Sequence, residues 1–274
     1  MLRAALFAPM IFSAVPTAGQ EVAIPTPGGV VLRALVVPAA AGAAPRPPVV
    51  ALHGCAGLGA FPQLPAREGD WARRLSALGH TVVFPDSFGS RGIPEVCRRG
   101  DAGARPEVER RADALATAAW AAAQHFAPAG QGAFVLGWSH GGSTALAAAQ
   151  GPGAAETLRA AVALYPGCVR VGQAPPPWAP VVPVLMLLGE SDEWTSARAC
   201  RRLAERGGAD VEVVAYPGTH HGFDQPALPL TELSGLAQTT RGGGVARIGT
   251  EPAARADALE RVPAFLARHG GPAR

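Results

Sequence analysis

Short apolar runs alternate with longer amphipathic stretches along most of this chain. The apolar runs are nearly continuous, which is typical of strands that are covered on both faces of a sheet. They predict strands over residues 30–37, 49–52, 81–85, 133–136, 160–165, 183–188 and 211–216. The longer stretches predict helices over residues 66–78, 106–126, 142–150, 196–206 and 252–268. This alternation predicts a parallel sheet with helices on both faces.

Prolines, helical spacing and one aperiodic segment add detail to this pattern. Pro106 and Pro252 suit the first turn of their helices, whereas Pro263 is expected to kink or split the last helix. Residues 225–250 show no periodicity, and a loop of that length is often functional or mobile. In the helix over residues 106–126, the apolar residues that recur at helical spacing are Val108, Ala112, Leu115, Ala119 and Ala122.

Composition and charge narrow the class of protein. The 274 residues suit one large domain, and 48% hydrophobic against 16% charged content allows a sizeable core. All 24 basic residues are arginine, they are dispersed among 21 acids, and the net charge is only +3. Because no basic stripe with interleaved aromatic residues occurs, we do not expect nucleic-acid binding.

The first residues have the pattern of a targeting segment. Arg3 precedes a mostly apolar run, AALFAPMIFSAV, that is far shorter than the ~20 apolar residues of a membrane helix. We interpret residues 1–19 as a signal peptide, followed by a single domain over residues 20–274 with no integral membrane segment. This interpretation predicts a periplasmic or secreted protein. The alternative is a cytoplasmic protein with a frayed apolar N-terminus.

The four cysteines bear on the same question. Cys55, Cys97, Cys168 and Cys200 show no CxxC spacing, so we expect neither a zinc site nor a redox motif. An even number of cysteines in an exported protein predicts disulfides, with three possible pairings. Four buried free thiols are the alternative in a cytoplasmic protein.

A serine surrounded by glycines lies between a predicted strand and a predicted helix. The sequence GWSHGG, with Ser139 at its centre, matches the G-x-S-x-G nucleophile elbow. In such an elbow the serine backbone is strained so that the hydroxyl projects above the sheet, and the neighbours two positions away have no room for a Cβ atom. An apolar strand before the motif and a helix of small residues after it favour a nucleophile over a structural turn.

A serine nucleophile needs a base, and the base needs an acid that orients it. The chain order on this fold is serine, acid, histidine. Asp192 follows one predicted strand end, with Glu190 and Glu193 as competitors, and His220 and His221 follow the next. Because adjacent side chains diverge, we expect only one of the two histidines to face the serine.

The oxyanion hole is expected from two backbone N–H groups. One belongs to Cys55, in the glycine-containing loop HGCAGL after a predicted strand, and the other to His140, which follows the nucleophile. The side chains of these two residues are not implicated. A thiol nucleophile at Cys55 is the rival hypothesis, but it has neither the elbow nor an obvious base.

Several blocks taken together resemble a known family. HGCAGL, PDSFGSRG, GWSHGG, YPGC, GESDEW and YPGTHHGF occur in the order seen in dienelactone-hydrolase-like α/β-hydrolases, over residues 47–268. The resemblance implies an α/β-hydrolase fold, with a mostly parallel central sheet of about eight strands and helices on both faces. Its H-x-F block selects His221 and its G-x-x-D block selects Asp192. Well-known dienelactone hydrolases use a cysteine nucleophile, so Ser139 points to a serine esterase relative.

The resemblance also implies roles for residues around the triad. Arg91 falls where relatives place an anchor for a substrate carboxylate, although an ion pair with Asp86 or Glu95 is the alternative. Trp138 and Trp194 adjoin the predicted nucleophile and acid, where they line a substrate pocket or serve ordinary packing.

The neighbouring strands of the family fold further imply the disulfides Cys55–Cys97 and Cys168–Cys200. The sequence as a whole predicts a serine hydrolase that cleaves a small carboxylic ester or lactone through an acyl-enzyme. It needs no metal or organic cofactor. The same triad would serve a peptidase, thioesterase, acyltransferase or polyester hydrolase, and a non-catalytic binding protein on this scaffold is the more distant alternative.

Overall fold

Strands and helices alternate along the chain in the computed structural model, which describes residues 19–101, 103–208 and 210–271. The strands, numbered β1 to β10 in chain order, are Gln20–Pro25, Val31–Val37, Arg46–Leu52, His80–Pro85, Ala133–Trp138, Leu158–Leu164, Val184–Gly189, Val211–Tyr216, Thr231–Leu233 and Ala246–Ile248. The helices, numbered α1 to α7, are Ala66–Ala77, Glu109–Ala122, His140–Ala148, Ala154–Thr157, Cys168–Gln173, Ala197–Gly207 and Pro252–His269. The predicted signal peptide, apart from Gly19, lies outside the described residues.

The first eight strands form one sheet in the order β1-β2-β4-β3-β5-β6-β7-β8. β1 pairs antiparallel with β2, and β2 with β4, while all the other neighbours are parallel. This is the mostly parallel sheet of about eight strands that the resemblance to dienelactone-hydrolase-like proteins implies. Parallel strands end at the same edge of a sheet, so the loops after β3, β5, β7 and β8 share one rim. The strand order reverses at β3, and such a reversal is where open α/β sheets bind ligands.

Hydrophobic side chains cover both faces of the sheet. Along β3, Val49 and Ala51 pack into one layer with residues of α1 and α7. Val50 and Leu52 pack into the opposite layer with residues of α2, α3 and α6. The alternation follows from the two-residue period of a strand, and it explains why the central strands are apolar throughout. Helices therefore lie on both faces, as predicted.

Pro263 neither ends nor splits the last helix, which is one of several differences from the sequence-based expectation. α7 runs without interruption from Pro252 to His269, because its inner face, including Val262 and Phe265, is fully buried in the core. That burial outweighs the roughly 3 kcal/mol that an interior proline costs a helix.

Three further boundaries differ from the prediction. Residues 225–250 are not structureless, because they contain β9 and β10, which pair antiparallel. α2 begins at Glu109 rather than at Pro106, and Val108 is 49% exposed. The residues that α2 buries are Arg110, Asp113, Ala114, Thr117, Ala118 and Ala121. No helix in the described ranges is long and apolar enough to cross a membrane.

Candidate active site

Ser139 occupies a strained bend between β5 and α3. Its φ of 54° and ψ of −114° lie in a region that L-residues rarely adopt. A Cβ atom at Gly137 would lie 2.1 Å from the carbonyl oxygen of Gly141, and one at Gly141 would lie 1.9 Å from that of Leu52. Both glycines are therefore required by close backbone approach, which explains why the motif crowds glycines around the serine.

Asp192 and His221 meet at the ends of β7 and β8. The imidazole Nδ1 lies 2.7 Å from Asp192 Oδ2, and both side chains are buried. Backbone N–H groups of Trp194 and Thr195 donate to Asp192 Oδ1 at 2.8 and 2.9 Å, and the Thr195 hydroxyl donates to Oδ2 at 2.8 Å. Because the carboxylate accepts a hydrogen bond from the Nδ1–H group, Nε2 of His221 is the nitrogen that is free to act as a base.

The ring of His221 is held between two aromatic side chains. Its centroid lies 4.6 Å from that of Tyr165 and 4.8 Å from that of Trp194. These contacts and the bond to Asp192 fix the imidazole in one orientation.

The competing residues from the sequence are occupied elsewhere. His220 contacts a backbone carbonyl through its Nδ1 at 2.9 Å. Glu190 pairs with Arg201, and Glu193 forms a pair with Arg247. Of the adjacent histidines and neighbouring acids, only His221 and Asp192 meet each other.

Ser139 Oγ has no hydrogen-bond partner among the described residues. The structure therefore joins His221 to Asp192 but contains no bond between His221 and the serine hydroxyl. Catalytic hydrogen bonds of this kind are often loose without substrate and tighten in the reacting complex.

A cavity of about 670 Å³ opens in front of Ser139. It is lined by residues of the loop after β3, the elbow and the loops after β6 and β7, including Cys55, His140 and Trp194. Residues 237–240 and Gly242 also line it, and the N–H groups of Ala237 and Thr240 donate to the carbonyls of Cys97 and Glu193. Among the residues that the structure describes, no group of three or more His, Cys, Asp or Glu side chains is placed to hold a metal ion.

The two candidate oxyanion donors follow the ends of two adjacent strands, β3 and β5. β3 and β5 are paired in register, with Leu52 opposite Gly137, so the loop after β3 lies beside the elbow. His140 is the first residue of α3, and the N–H groups of a first helical turn have no partner within the helix. The carbonyl of Cys55 accepts the N–H of Val96 at 2.9 Å, which fixes this loop.

Two residues proposed from the sequence as pocket residues do not line the cavity. Arg91 forms a two-pronged ion pair with Asp113, at 2.7 and 2.8 Å, rather than with Asp86 or Glu95. Both of its terminal nitrogens are thus occupied by a buried carboxylate. Trp138 is fully buried in the core beneath the elbow. Trp194, the third residue that the sequence predicts for the pocket, does line the cavity.

Comparison with family models decides the relationship that the sequence blocks imply. Residues 32–270 match the model of the Dienelactone hydrolase family. The chain belongs to the dienelactone hydrolase family. Membership of this family, together with the fold, supports a hydrolase activity.

Several solved structures of other proteins share the fold of this chain. A protein from Klebsiella pneumoniae assigned to the dienelactone hydrolases is 22% identical, with a TM-score of 0.64 over 91% of this chain and 98% of its own. A dienelactone hydrolase-like promiscuous phosphotriesterase from metagenomic libraries is 19% identical, with a TM-score of 0.64 over 93% of this chain and 100% of its own. A puromycin-hydrolyzing peptidase of Mycobacterium tuberculosis is 18% identical, with a TM-score of 0.64 over 94% of this chain and 42% of its own. No curated protein matches the chain. At these identities the likeness shows the fold alone.

Both disulfides implied by the resemblance to dienelactone hydrolases occur in the structure. Cys55 is joined to Cys97 and Cys168 to Cys200, with Cα–Cα distances of 4.9 and 5.0 Å. Cys55, Cys97 and Cys168 line the cavity, whereas Cys200 is buried on α6. Disulfides persist in oxidising compartments, so these two favour an oxidising environment for this chain.

Sequence reasoning missed a buried carboxylate beneath the site of this dienelactone hydrolase relative. Asp224 is 0% exposed, and its Oδ2 accepts the indole N–H groups of Trp71 and Trp138, each at 2.8 Å. Its Oδ1 accepts the hydroxyl of Tyr165 at 2.5 Å. Burial raises the pKa of Tyr165 well above its ordinary value, so the phenol keeps its proton. Asp224 thus anchors the residue before Ser139 and the ring that packs on His221.

Proposed function

We propose that this dienelactone hydrolase family member is a serine hydrolase that cleaves a small carboxylic ester or lactone through an acyl-enzyme. Ser139 is the nucleophile, His221 the general base and Asp192 the orienting acid. The observation that carries the proposal is the 2.7 Å contact between His221 and Asp192, on the same sheet rim as a serine with a φ of 54°. An imidazole oriented by a buried carboxylate beside a serine is the arrangement that activates the serine hydroxyl in unrelated hydrolases, and we propose that Nε2 of His221 reaches Ser139 Oγ when substrate binds.

The proposed reaction has two symmetrical halves. Ser139 Oγ attacks the ester carbonyl carbon while its proton passes to Nε2 of His221, and Asp192 stabilises the imidazolium. The N–H groups of Cys55 and His140 bind the oxyanion, and each such donor is typically worth about 100-fold to 1000-fold in rate. His221 then returns the proton to the leaving alcohol. Water attacks the acyl-enzyme by the same route and releases the acid.

The cavity supports a small-molecule substrate. Its volume of about 670 Å³ falls within the ordinary range for small-molecule sites. Its lining combines the apolar Trp194 and Val96 with the polar His140 and Arg170. An ester or lactone with a short acyl part and one polar group suits that lining.

Labelling with a fluorophosphonate, combined with turnover of p-nitrophenyl butyrate, tests the proposal. We expect the probe to label Ser139, and Ser139→Ala to lower kcat by about 10⁴-fold or more with the fold intact. Ser90→Ala is the matched control, since this serine lies outside the cavity lining. Labelling elsewhere, or undiminished turnover by Ser139→Ala, would contradict the assignment. Hydrolysis of amide but not ester substrates would indicate a peptidase, and an unlabelled, inactive protein would indicate a binding role.

We also propose that residues 20–274 form a single domain that acts in the periplasm or outside the cell after removal of residues 1–19. The two disulfides support this location. The N-terminal sequence of the protein recovered from an exporting host is the measurement. Retention of Met1 on the active protein would contradict cleavage.

A further inference from the structure

Arg110, on the inner face of α2, is a buried cation behind the candidate oxyanion hole. Its side chain is 0% exposed, and its guanidinium carbon lies 5.0 Å from the centre of the Phe88 ring. No carboxylate among the described residues forms an ion pair with it, because the nearby Asp113 is held by Arg91. Burial lowers the pKa of Arg110 to about 9. A buried charge is costly, and the carboxylates of Asp113 and Asp86 offset only part of that cost, because neither forms an ion pair with Arg110.

The two hydrogen bonds of Arg110 reach both halves of the candidate oxyanion hole. Its Nη2 donates to the backbone carbonyl of His53 at 2.9 Å. Its Nη1 donates to Nδ1 of His140 at 2.7 Å. His53 lies two residues before Cys55, and His140 follows Ser139 directly. One rigid guanidinium therefore joins the loop after β3 to the nucleophile elbow.

The same contact determines which nitrogen of His140 carries its proton. A guanidinium can only donate hydrogen bonds, so Nδ1 of His140 accepts and the proton of the neutral ring is on Nε2. Burial lowers the pKa of His140 to about 4, which keeps the ring neutral near pH 7. Nε2 lies 3.6 Å from Asp101 Oδ2, beyond good hydrogen-bonding distance, and both residues line the cavity. Arg110 thus holds the ring of His140 from one side and leaves its Nε2–H on the side of Asp101.

We propose that Arg110 is a positioning residue for the reaction: it holds the Cys55 loop and the elbow at the separation at which two N–H groups bind one oxygen. The inference rests on the proposed serine hydrolase function. It also places a positive charge behind the oxygen that becomes negative in the transition state, where charge stabilisation matters most. Loss of Arg110 should therefore lower kcat and leave KM little changed, since the ground-state ester carries no such charge.

Arg111, the next residue of α2, offers a matched control. Its guanidinium also donates to backbone carbonyls, those of Ala147, Gln150 and Pro152, at 3.0, 2.7 and 2.9 Å. These carbonyls lie at the far end of α3, away from the elbow. Arg111 therefore anchors the same pair of helices without touching the candidate oxyanion hole.

The experiment compares Arg110→Met, Arg110→Lys and Arg111→Met in the full chain with both disulfides formed. We measure kcat per titrated active site and KM for p-nitrophenyl butyrate, the affinity for phenylboronic acid, and the thermal midpoint. Arg110→Met should lower kcat by about 100-fold, change KM by less than about threefold, and weaken the tetrahedral boronate adduct by the same factor as kcat/KM. Arg110→Lys keeps the charge but loses the planar pair of N–H donors that contacts His53 and His140 together, so its kcat should fall by about tenfold. Arg111→Met should lower the midpoint and leave kcat unchanged.

Three outcomes would overturn the inference. The first is that Arg110→Met and Arg111→Met have the same kcat per titrated active site. The second applies if Arg110→Met does not fold: it is a kcat equal to that of the wild type in both Arg110→Lys and His140→Leu. The third is a chain without Ser139-dependent turnover, which would remove the proposed function as well. Normal turnover of the unmodified chain that is insensitive to Arg110 would remove this inference alone.

Discussion

The two sides of the candidate active site differ in how completely their polar groups are partnered. On the acid–base side, formed by Asp192 and His221, the carboxylate accepts hydrogen bonds from four donors. On the oxyanion side, formed by His53, Cys55, Arg110 and His140, three buried nitrogens have no partner among the described residues: Nε2 of His53, Nε of Arg110 and Nε2 of His140.

This difference separates two tasks. The acid–base side must hold one imidazole in one tautomer at every stage of the reaction, and saturated hydrogen bonding does this before substrate arrives. The oxyanion side must bind a charge that exists only in the transition state. The backbone N–H groups of Cys55 and His140, which we propose as the donors to that charge, are held in place beforehand and need no rearrangement when it forms. The energetic cost of the buried nitrogens that lack a partner around them is offset by the rest of the fold.

Breaking the saturated side should give the largest effect. In Asp192→Asn the neutral amide can donate a hydrogen bond to Nδ1 instead of accepting one, so the Nδ1–H tautomer of His221 is no longer fixed. The imidazolium also loses the negative charge that stabilises it. We expect kcat for p-nitrophenyl butyrate to fall by about 10⁴-fold with little change in the thermal midpoint.

Glu193→Gln is the control for this change, because Glu193 follows Asp192 directly and pairs with Arg247 on the surface. Its kcat should stay within about threefold of the wild type, since exposed ion pairs contribute little. Equal losses in the two variants would show that Asp192 is not the orienting acid.

Asp224 lies beneath both sides, so its loss tests how far they depend on a common support. Asp224→Ala leaves the buried indole N–H groups of Trp71 and Trp138 and the hydroxyl of Tyr165 without their acceptor. We expect the free energy of unfolding, measured with urea, to fall by about 3 kcal/mol or more.

The matched control for Asp224 is Asp257→Ala. Asp257 also accepts a tyrosine hydroxyl, that of Tyr216 at 2.6 Å, but its side chain is 36% exposed and water can replace it. Its loss should cost less than about 1 kcal/mol. A similar loss of stability in both variants would mean that the Asp224 network contributes nothing beyond an ordinary surface contact.

The sequence predicts the parts of the site that follow from strand order. The strands before Ser139, Asp192 and His221 are apolar runs, and parallel strands end at one rim, so their loops had to converge. The elbow adds local strain that only glycine neighbours permit. The family resemblance selected one of the two adjacent histidines, and the structure brings that residue, His221 and not His220, to Asp192.

Arg110 and Asp224 were out of reach of this reasoning for a physical reason. Each is a charged residue whose burial depends on partners distant in sequence, such as the carbonyl of His53 or the indole of Trp71. Helical spacing misled the prediction of the buried face of α2, because the apolar repeat included Val108, which precedes the helix and is 49% exposed. The helix instead buries a face that combines alanines with Arg110, Asp113 and Thr117. Arg91 was misjudged in the same way, because its partner Asp113 lies on that unexpected face.

The smallest predicted effect is a pH dependence of stability that comes from the oxyanion side. Burial lowers the pKa of His53 well below its ordinary value and that of His140 to about 4, although Asp101 faces His140 together with Arg110 and Arg170. The unfolded chain takes up a proton at His140 below about pH 6.5, while the folded chain does not until about pH 4, so the unfolded state binds more protons in this window, and His53 acts in the same direction. The free energy of unfolding should therefore fall by up to about 1.4 kcal/mol per pH unit from His140 as the pH drops from about 6.5 towards 4. Urea unfolding of the wild type and of His140→Phe between these pH values measures the slope, which should be shallower in the variant. Equal slopes would show that His140 titrates in the folded protein as it does in water, and that this side of the site is open to solvent.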